Sequence, residues 1–307
     1  MPKYIGLVVA AACLWMVGLR SGSCDPPQEP ASMPAVVTPA IMDRAHANYL
    51  LSKEINQAIV SRGATNLKRV ALTFDDGPHP GKTEPLLACL TKLNVHATFF
   101  VIGKMAVKAP YLLQEEIMQG SEVGNHTYNH IHVTSLDDAA IAGEIFSTND
   151  VVRKFTGEPA VLFRPPGGRI SWGAYRALRA CGMVTVLWTD DPEDYLNPGK
   201  PNPAFQQVLL KRLLKHIRPG GIILLHDGIL DTVAILPEFI HDLRAQGYEV
   251  GTVTELLLAQ QHHEMEPEAE SMGAGVRPAL RSVGPVRPAR NRKSRVSGPR
   301  SGAVPRA

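Results

Sequence analysis

The chain has 307 residues, of which 44% are hydrophobic and 20% charged, as in a soluble protein with one domain of about 200 residues plus extensions. Its four cysteines form no Cys-x-x-Cys pair, which excludes a zinc ribbon and a dithiol redox motif. The net charge of +3 is unevenly distributed, because residues 271–307 carry nine Arg or Lys and no acidic residue. The other 270 residues carry 23 basic and 29 acidic side chains, so the body is mildly acidic and we expect no nucleic-acid partner.

The N-terminus is typical of an export signal. Lys3 precedes an apolar stretch over residues 5–19, short for a membrane-spanning helix, and small polar residues follow at 21–23. We therefore expect an exported protein, located in the periplasm, at the cell envelope or outside the cell, with residues 1–24 as its signal. Two alternatives remain open, namely a retained N-terminal membrane anchor and a lipoprotein with its lipid attached at Cys24.

Two flanking segments differ in composition from the rest of the chain. Residues 25–40 contain five prolines and are typical of a flexible linker, and an amphipathic helix is predicted over 41–62, which together account for 25–66. Residues 263–307 are rich in Pro, Gly, Ser and Arg and predict a disordered basic tail. The tail either contacts an anionic envelope polymer or lipid surface electrostatically, or is solvated and uninvolved.

Between these segments, apolar strand-like runs alternate with helical runs. Regular alternation of this kind predicts an α/β fold with a parallel sheet, either open or closed into a barrel. The predicted strands cover residues 70–74, 97–102, 122–125, 161–164, 184–188, 222–226 and 249–253, and helical stretches include 82–93, 136–155, 203–217 and 232–246.

The first predicted strand ends on two adjacent carboxylates. The apolar run 70–74 is followed by Asp75 and Asp76 and then by the turn signal Gly77-Pro78. Two ionised carboxylates this close repel each other unless a positive group or a proton lies beside them. A metal ion or a catalytic proton would relieve the repulsion, whereas in the simpler alternative both acids face solvent in a turn.

Ionisable side chains follow five of the seven predicted strands. In parallel barrels the chemistry lies at the carboxyl ends of the strands, so these side chains are expected to meet at one edge. They are Asp75 and Asp76, His126 and His130, Arg164, Asp190 with Asp191 and Asp194, and His226 with Asp227.

The spacing of His126 and His130 brings two imidazoles onto one face of a helical turn. One Asp added to them gives a two-His, one-carboxylate metal site with open positions. We expect a divalent metal, with Zn²⁺ as the first choice and Co²⁺ or another divalent ion as the alternative. The second Asp then stays free to take a proton from the attacking water.

Five motifs occur in an order that resembles a known family. The segments TFDDGP, HTYNH, RPPGG, DPEDY and LLHD are similar to the ordered motifs of the NodB-type polysaccharide deacetylases, carbohydrate esterase family 4. The resemblance covers about residues 68–255 and implies a catalytic domain over 67–262. It also implies that the sheet is a distorted (β/α)7-like barrel of parallel strands.

The resemblance implies a role for each motif residue. Asp75 would be the general base, and Arg164 would pair with it and fix its orientation. The metal would be held by Asp76, His126 and His130. His226 would be the general acid that protonates the departing amine. Asp194 would hold His226 in its acid form, and Asp191 is a second candidate for that role with a poorer match to the motif. Leu224 would line a pocket for the acetyl methyl.

Two positions depart from the family pattern. Gly167 stands where the third motif commonly has Tyr, which removes an aromatic wall but leaves a backbone N–H for the oxyanion. Tyr195 stands where the fourth motif commonly has Trp. Both residues are therefore expected to bind substrate, and both changes affect the shape of the sugar subsites rather than the reaction.

The expected activity is hydrolysis of N-acetyl groups on GlcNAc residues of a polysaccharide, to free amine and acetate. Peptidoglycan is the first candidate substrate, and chitin oligomers or poly-GlcNAc are the second. The alternatives are an O-acetyl esterase of xylan type that uses the same site, a two-His-one-carboxylate iron oxygenase, and a non-catalytic polysaccharide-binding protein. Nothing in the sequence fixes the oligomeric state.

Overall fold

The structure, a computed structural model, describes residues 59–180 and 182–259. Within them, eight strands form a single sheet in which every pair of neighbours is parallel. The strands are β1 Ile59–Val60, β2 Arg69–Asp75, β3 Thr98–Val101, β4 Glu122–Asn125, β5 Leu162–Phe163, β6 Val184–Val186, β7 Ile222–His226 and β8 Glu249–Gly251.

The strand order is β1-β6-β5-β4-β3-β2-β7, and β8 pairs with the start of β2. A parallel bridge between Asp190 and Ile223 joins the chain just after β6 to β7, and the Leu224 N–H donates to the Asp190 carbonyl at 2.9 Å. Strands β6 and β7 stand near opposite ends of this strand order, so the bridge between them closes the sheet on itself. The distorted barrel of parallel strands is confirmed.

Seven α-helices cover the outside of the sheet, and a further helical stretch over 253–259 follows the last strand within the described residues. The seven are α1 Thr83–Leu93, α2 Gly103–Lys108, α3 Pro110–Met118, α4 Asp138–Thr156, α5 Trp172–Ala180, α6 Pro203–His216 and α7 Leu230–Ala245. Each of the seven predicted strands has a counterpart, and so does each of the four helices predicted between residues 82 and 246, with bounds that differ by at most a few residues. No helix of the described residues is both long and apolar enough to span a bilayer.

The helix predicted over 41–62 is wrong at its end. Ile59 and Val60 form strand β1, in register with Thr185 and Val186 of β6. Val60 is 3% exposed and packs in the interior cluster, so pairing with β6 outweighs the local helical pattern. Residues 61 and 62 are not helical either. Residues 41–58 of that helix, the export signal, the linker and the basic tail lie outside the described residues.

Strand β2 shows how the sheet directs its side chains. Val70, Leu72 and Phe74 pack with the helices, whereas Ala71 packs with the cluster inside the barrel. Successive side chains of a strand point to opposite faces, so Thr73 and Asp75 point to the same side as Ala71. The sequence of this strand therefore aims Asp75 into the mouth of the barrel.

Among the residues that the structure describes there is one cysteine. Cys89 is a free thiol in helix α1, half-buried against α7. Cys181 lies outside the described residues.

Candidate active site

The predicted site residues converge at the carboxyl edge of the barrel. Asp75 and His226 are the last residues of β2 and β7, and they are partners in the register of these adjacent strands. His126 directly follows β4 and Arg164 directly follows β5. Asp194 begins a 3₁₀ turn after β6. The topology of a parallel barrel thus brings together residues that are far apart in the chain.

Asp75 is held by a buried guanidinium. Arg164 is fully buried and donates from Nη1 to Asp75 Oδ1 at 2.7 Å and to Thr73 Oγ1 at 2.7 Å. Its Nε donates to the Val186 carbonyl at 3.2 Å, and its Cζ lies 4.1 Å from the centroid of the Phe100 ring. With Oδ1 bound in this way, Oδ2 of Asp75 points toward His126, whose Nε2 lies 3.7 Å away.

Asp76, His126 and His130 form the one cluster of the described residues that could hold a metal ion. Asp76 Oδ1 lies 3.5 Å from Nε2 of His126 and 3.1 Å from Nε2 of His130, and the three atoms lie within 4.8 Å of one another. Asp76 Oδ1 is buried and accepts no hydrogen bond from the described residues. A buried carboxylate oxygen without a donor, facing two imidazole nitrogens, fits a divalent cation.

The protonation states agree with that fit. His126 Nδ1 lies 2.7 Å from the Arg164 carbonyl, which only accepts, so Nδ1 carries the hydrogen and Nε2 keeps its lone pair. Burial lowers the pKa of His126 and keeps the imidazole neutral. Burial alone would raise the pKa of Asp76, but the close contact with His130 and the positive charge that neighbouring imidazoles carry when they are protonated lower it to about 2.

The loop that carries the two imidazoles is not the predicted helical turn. Residues 126–130 are irregular, and Thr127 and His130 have positive φ values of 65° and 61°. Asp76 also has a positive φ, of 78°, and such backbone is unfavourable outside glycine. The centroids of the two imidazole rings nevertheless lie 5.1 Å apart. Within this loop, Asn125 Oδ1 accepts the Thr127 N–H at 2.9 Å.

His226 and Asp194 form a second charged pair, next to the pair of Asp75 and Arg164. Asp194 Oδ1 lies 2.7 Å from His226 Nδ1, and Asp194 Oδ2 accepts the His226 backbone N–H at 2.8 Å. Burial lowers the pKa of His226, but the hydrogen bond and charge of Asp194, with further help from Asp75 and Asp76, raise it to about 9. His226 is therefore protonated at neutral pH, and its Nε2–H is the group left to donate.

Asp191 does not take the position of Asp194. Its Oδ1 accepts the Glu193 N–H at 2.9 Å and closes a local turn, while the side chain is exposed. In this structure His226 is therefore bound by Asp194, whose two carboxylate oxygens both contact it, and not by Asp191.

The three remaining site residues line the same edge. Leu224 is buried in β7, two residues before His226 and on the same face. Tyr195 is 43% exposed, and its ring meets the His226 ring edge-on with centroids 5.2 Å apart. Gly167 lies in the 3₁₀ turn Pro166–Gly168, exposed and with a φ of 68°.

Several supporting residues were not predicted. Thr73 lies between Arg164 and the Ile223 carbonyl, to which its hydroxyl donates at 2.6 Å. Thr73 could have been noticed in the sequence, because it is a polar residue within an otherwise apolar strand. Thr232 donates to Asp194 Oδ2 at 2.8 Å from helix α7, and nothing in the sequence connects two residues so far apart.

Asp227 accounts for the glycine that follows the two carboxylates. Its Oδ2 accepts a hydrogen bond from Thr83 at 2.6 Å, and its N–H donates to the Asp75 carbonyl at 2.8 Å. A Cβ at Gly77 would lie 2.1 Å from Asp227 Oδ2. Gly77 is therefore needed for close packing beneath the site. Burial raises the pKa of Asp227 to about 6.

Comparisons with known proteins identify the family of the chain. The model of a family described as polysaccharide deacetylase matches residues 62–186. A peptidoglycan-N-acetylglucosamine deacetylase from Bacillus cereus is 37% identical over 215 residues, which are 68% of this chain and 98% of that protein. The peptidoglycan-N-acetylmuramic acid deacetylase PdaC from Bacillus subtilis is 35% identical, but the match covers 62% of this chain and only 39% of that longer protein.

A solved structure shows the same fold. The Bc1960 peptidoglycan N-acetylglucosamine deacetylase superposes with a TM-score of 0.62 at 27% sequence identity, over 66% of this chain and 94% of that one. The similarity therefore extends over nearly the whole of that solved chain.

Proposed function

Because the chain belongs to the NodB-type polysaccharide deacetylases, carbohydrate esterase family 4, we propose that it deacetylates GlcNAc residues of a cell-envelope polysaccharide with the help of a divalent metal. Peptidoglycan is the proposed substrate. The observation that supports the mechanism is the presence of two separately paired groups, Asp75 with Arg164 and His226 with Asp194, beside the Asp76–His126–His130 cluster.

Asp75 is the proposed general base. Arg164 occupies Oδ1, so Oδ2 is the atom left to accept a proton from the attacking water. The buried guanidinium balances the charge of the carboxylate and fixes its plane, which pre-organises the base before substrate arrives.

Asp76, His126 and His130 are the proposed metal ligands, with Zn²⁺ as the proposed ion. A divalent ion held there supplies Lewis-acid polarisation of the acetyl carbonyl and lowers the pKa of water. His126 contributes a neutral imidazole whose lone pair is already oriented by its bond to the Arg164 carbonyl.

Negative charge develops on the acetyl oxygen as water adds to the carbonyl carbon. The Gly167 N–H is the proposed backbone donor to this oxyanion, and Leu224 is the proposed wall of the pocket for the acetyl methyl. Tyr195 is the proposed sugar-facing residue beside His226.

His226 is the proposed general acid. An amine leaves the tetrahedral intermediate only when it is protonated, so a donor is needed where the nitrogen departs. The Asp194 hydrogen bond orients the ring so that Nε2–H faces away from Asp194, and it raises the pKa enough to keep that hydrogen in place at neutral pH. The base and the acid are therefore in opposite protonation states at the same pH.

The composition of the terminal segments supports a location for the activity. We propose that residues 1–24 direct export and that residues 67–262 are the catalytic domain. A basic tail over 263–307 would keep the enzyme near an anionic envelope, where peptidoglycan is the abundant N-acetylated polymer.

The test is acetate release by the purified full chain, stripped of metal and reloaded with Zn²⁺. The substrates are de-proteinised peptidoglycan, chitin oligomers and acetylated xylan, with Asp75→Asn as the matched control. We expect release from peptidoglycan, lost in the control. Mass spectrometry of the digested product then assigns the free amine to GlcNAc or to the neighbouring muramic acid.

Release from chitin oligomers alone would replace peptidoglycan as the substrate, and release from xylan alone would establish an O-acetyl esterase. Binding to peptidoglycan without acetate release from any polymer would indicate a non-catalytic binding protein.

A further inference from the structure

A single peptide group connects a histidine outside the assigned site to the proposed oxyanion donor. The Pro166 carbonyl lies 3.0 Å from Nδ1 of His132, and the N–H at the other end of the same peptide group belongs to Gly167. The peptide is planar and trans, so its C=O and N–H point in opposite directions. A contact that fixes the carbonyl therefore also fixes the direction of the Gly167 N–H.

The Gly167 N–H is available to a ligand. Gly167 is exposed, and its N–H finds no acceptor among the residues that the structure describes, whereas the next N–H, of Gly168, donates to the Pro165 carbonyl at 2.9 Å. Pro166 and Gly167 lie close to the site, because Arg164 precedes Pro166 by two residues. The Arg164 side chain donates to Asp75, and its carbonyl accepts from His126 Nδ1.

The tautomer of His132 follows from its partner. A carbonyl oxygen only accepts, so Nδ1 of His132 carries the hydrogen and donates it to Pro166. This bond draws electron density toward the carbonyl oxygen, which makes the N–H of the same peptide a stronger donor.

His132 and Gly167 are sterically matched. A Cβ at Gly167 would lie 2.5 Å from Cε1 and 2.9 Å from Nδ1 of His132. The imidazole therefore fills the space that a side chain at position 167 would enter. The absence of a side chain at Gly167 is what allows the ring to reach the Pro166 carbonyl.

We propose that His132 is a positioning residue of the deacetylase, which holds the Pro166–Gly167 peptide so that the Gly167 N–H points at the developing oxyanion. The inference rests on the proposed function, and His132 itself does not touch the reacting atoms. It acts through the hydrogen bond from Nδ1 to the Pro166 carbonyl.

The test compares His132→Asn with His132→Leu in the Zn²⁺-loaded full chain. The Asn side-chain nitrogen occupies the same place as Nδ1 of histidine, whereas Leu has a similar shape and no donor. For His132→Leu we expect kcat to fall about ten- to hundredfold with KM within about twofold. The Gly167 N–H would still be present in this variant, but it would no longer point at the oxyanion. For His132→Asn we expect kcat within about threefold of wild type.

A second readout does not depend on turnover. Acetate, added to the Zn²⁺-loaded protein, is expected to shift the Gly167 amide proton downfield in the wild type and in His132→Asn, and not in His132→Leu. Zinc content and the midpoint of thermal unfolding are expected to be equal in all three proteins.

Equal kcat values and equal amide shifts in the Asn and Leu variants would overturn the positioning role. That result is distinguishable from failure of the proposed function. If the wild type released no acetate from any polymer, or if Asp75→Asn stayed active, the function would fail while the amide shifts still tested His132.

Discussion

Asp75 and His226 are partners in the register of two adjacent strands, yet each side chain is neutralised by a different residue. Arg164 binds the carboxylate and Asp194 binds the imidazole, both at 2.7 Å. Without these separate partners, a carboxylate and an imidazolium at neighbouring positions would pair with each other. The two buried pairs thus keep a proton acceptor and a proton donor side by side without mutual neutralisation.

Arg164 is expected to be essential for stability as well as activity. Arg164→Met leaves the Asp75 carboxylate buried without its partner, which should lower the free energy of unfolding by about 3–5 kcal/mol and abolish acetate release. Denaturant unfolding measures the first effect. Arg153→Met is the matched control, because that arginine pairs with Asp150 on the surface and should change stability little. Equal stability losses in the two variants would contradict the role of the buried pair.

The alkaline limb of the pH–rate profile should report His226. Its pKa is raised to about 9, so the acid form is lost as pH rises through that value. Asp194→Asn removes the hydrogen-bonded charge that raises the pKa, and the limb should move toward lower pH. Asp191→Asn is the control and should leave the limb nearly in place, because Asp191 makes no hydrogen bond to His226. A limb that responds equally to both substitutions would argue against Asp194.

The same pKa has a consequence for stability. A histidine whose pKa is higher in the folded than in the unfolded chain stabilises the fold below the unfolded value of about 6.5, and the contribution disappears as pH rises through about 9. Thermal unfolding between pH 6 and pH 10 should therefore show a steeper decline in the wild type than in Asp194→Asn.

Removal of the metal should stop acetate release reversibly. A chelator is expected to abolish activity, and added Zn²⁺ to restore it, because Asp76, His126 and His130 form the one cluster of the described residues that could hold a metal ion. His130→Ala should weaken zinc binding by at least about 100-fold. His96→Ala is the control, since His96 lies beside Glu255 and apart from the cluster. Full activity in the chelated protein would contradict a metal-dependent reaction.

Gly77 is expected to tolerate no side chain. Gly77→Ala would place a Cβ 2.1 Å from Asp227 Oδ2 and should destabilise the fold by about 1–3 kcal/mol. Gly143→Ala offers the control, because that exposed helical glycine has open space around it and should gain about 0.4–1 kcal/mol. Denaturant midpoints compare the two, and a neutral Gly77→Ala would show that the packing is looser than the structure indicates.

The sequence was most informative where chemistry and periodicity coincide. Strands over 70–74 and 222–226 could be predicted from apolar runs, and their terminal Asp75 and His226 from charge at a strand end. The two-residue strand Ile59–Val60 could not, because its pairing with β6 depends on a partner more than a hundred residues away. The prediction of a helical turn at His126 was wrong, because the positive φ values of Thr127 and His130 could not be inferred from the residue types at these positions.

Long-range side-chain partners were the least predictable part of the site. The pair of Asp75 with Arg164 was expected only from the family resemblance, since 89 residues separate the two. The hydrogen bond from Thr232 to Asp194 and that from His132 to Pro166 were not expected at all. Such contacts are fixed by how the helices and loops close over the barrel edge, which no local pattern encodes.

The central claim is that Asp75 accepts the proton of water and His226 gives a proton to the departing amine. The most direct test measures acetate release by the Zn²⁺-loaded Asp75→Asn and His226→Asn variants. The two substrates are an N-acetylglucosamine oligomer, which is an amide, and 4-nitrophenyl acetate, which is an ester. Phenolate leaves without protonation, so His226→Asn should lose about 10²–10⁴-fold on the amide and far less on the ester. Asp75→Asn should lose both activities. Equal losses on the two substrates in His226→Asn, or an amide activity that survives it, would contradict the account.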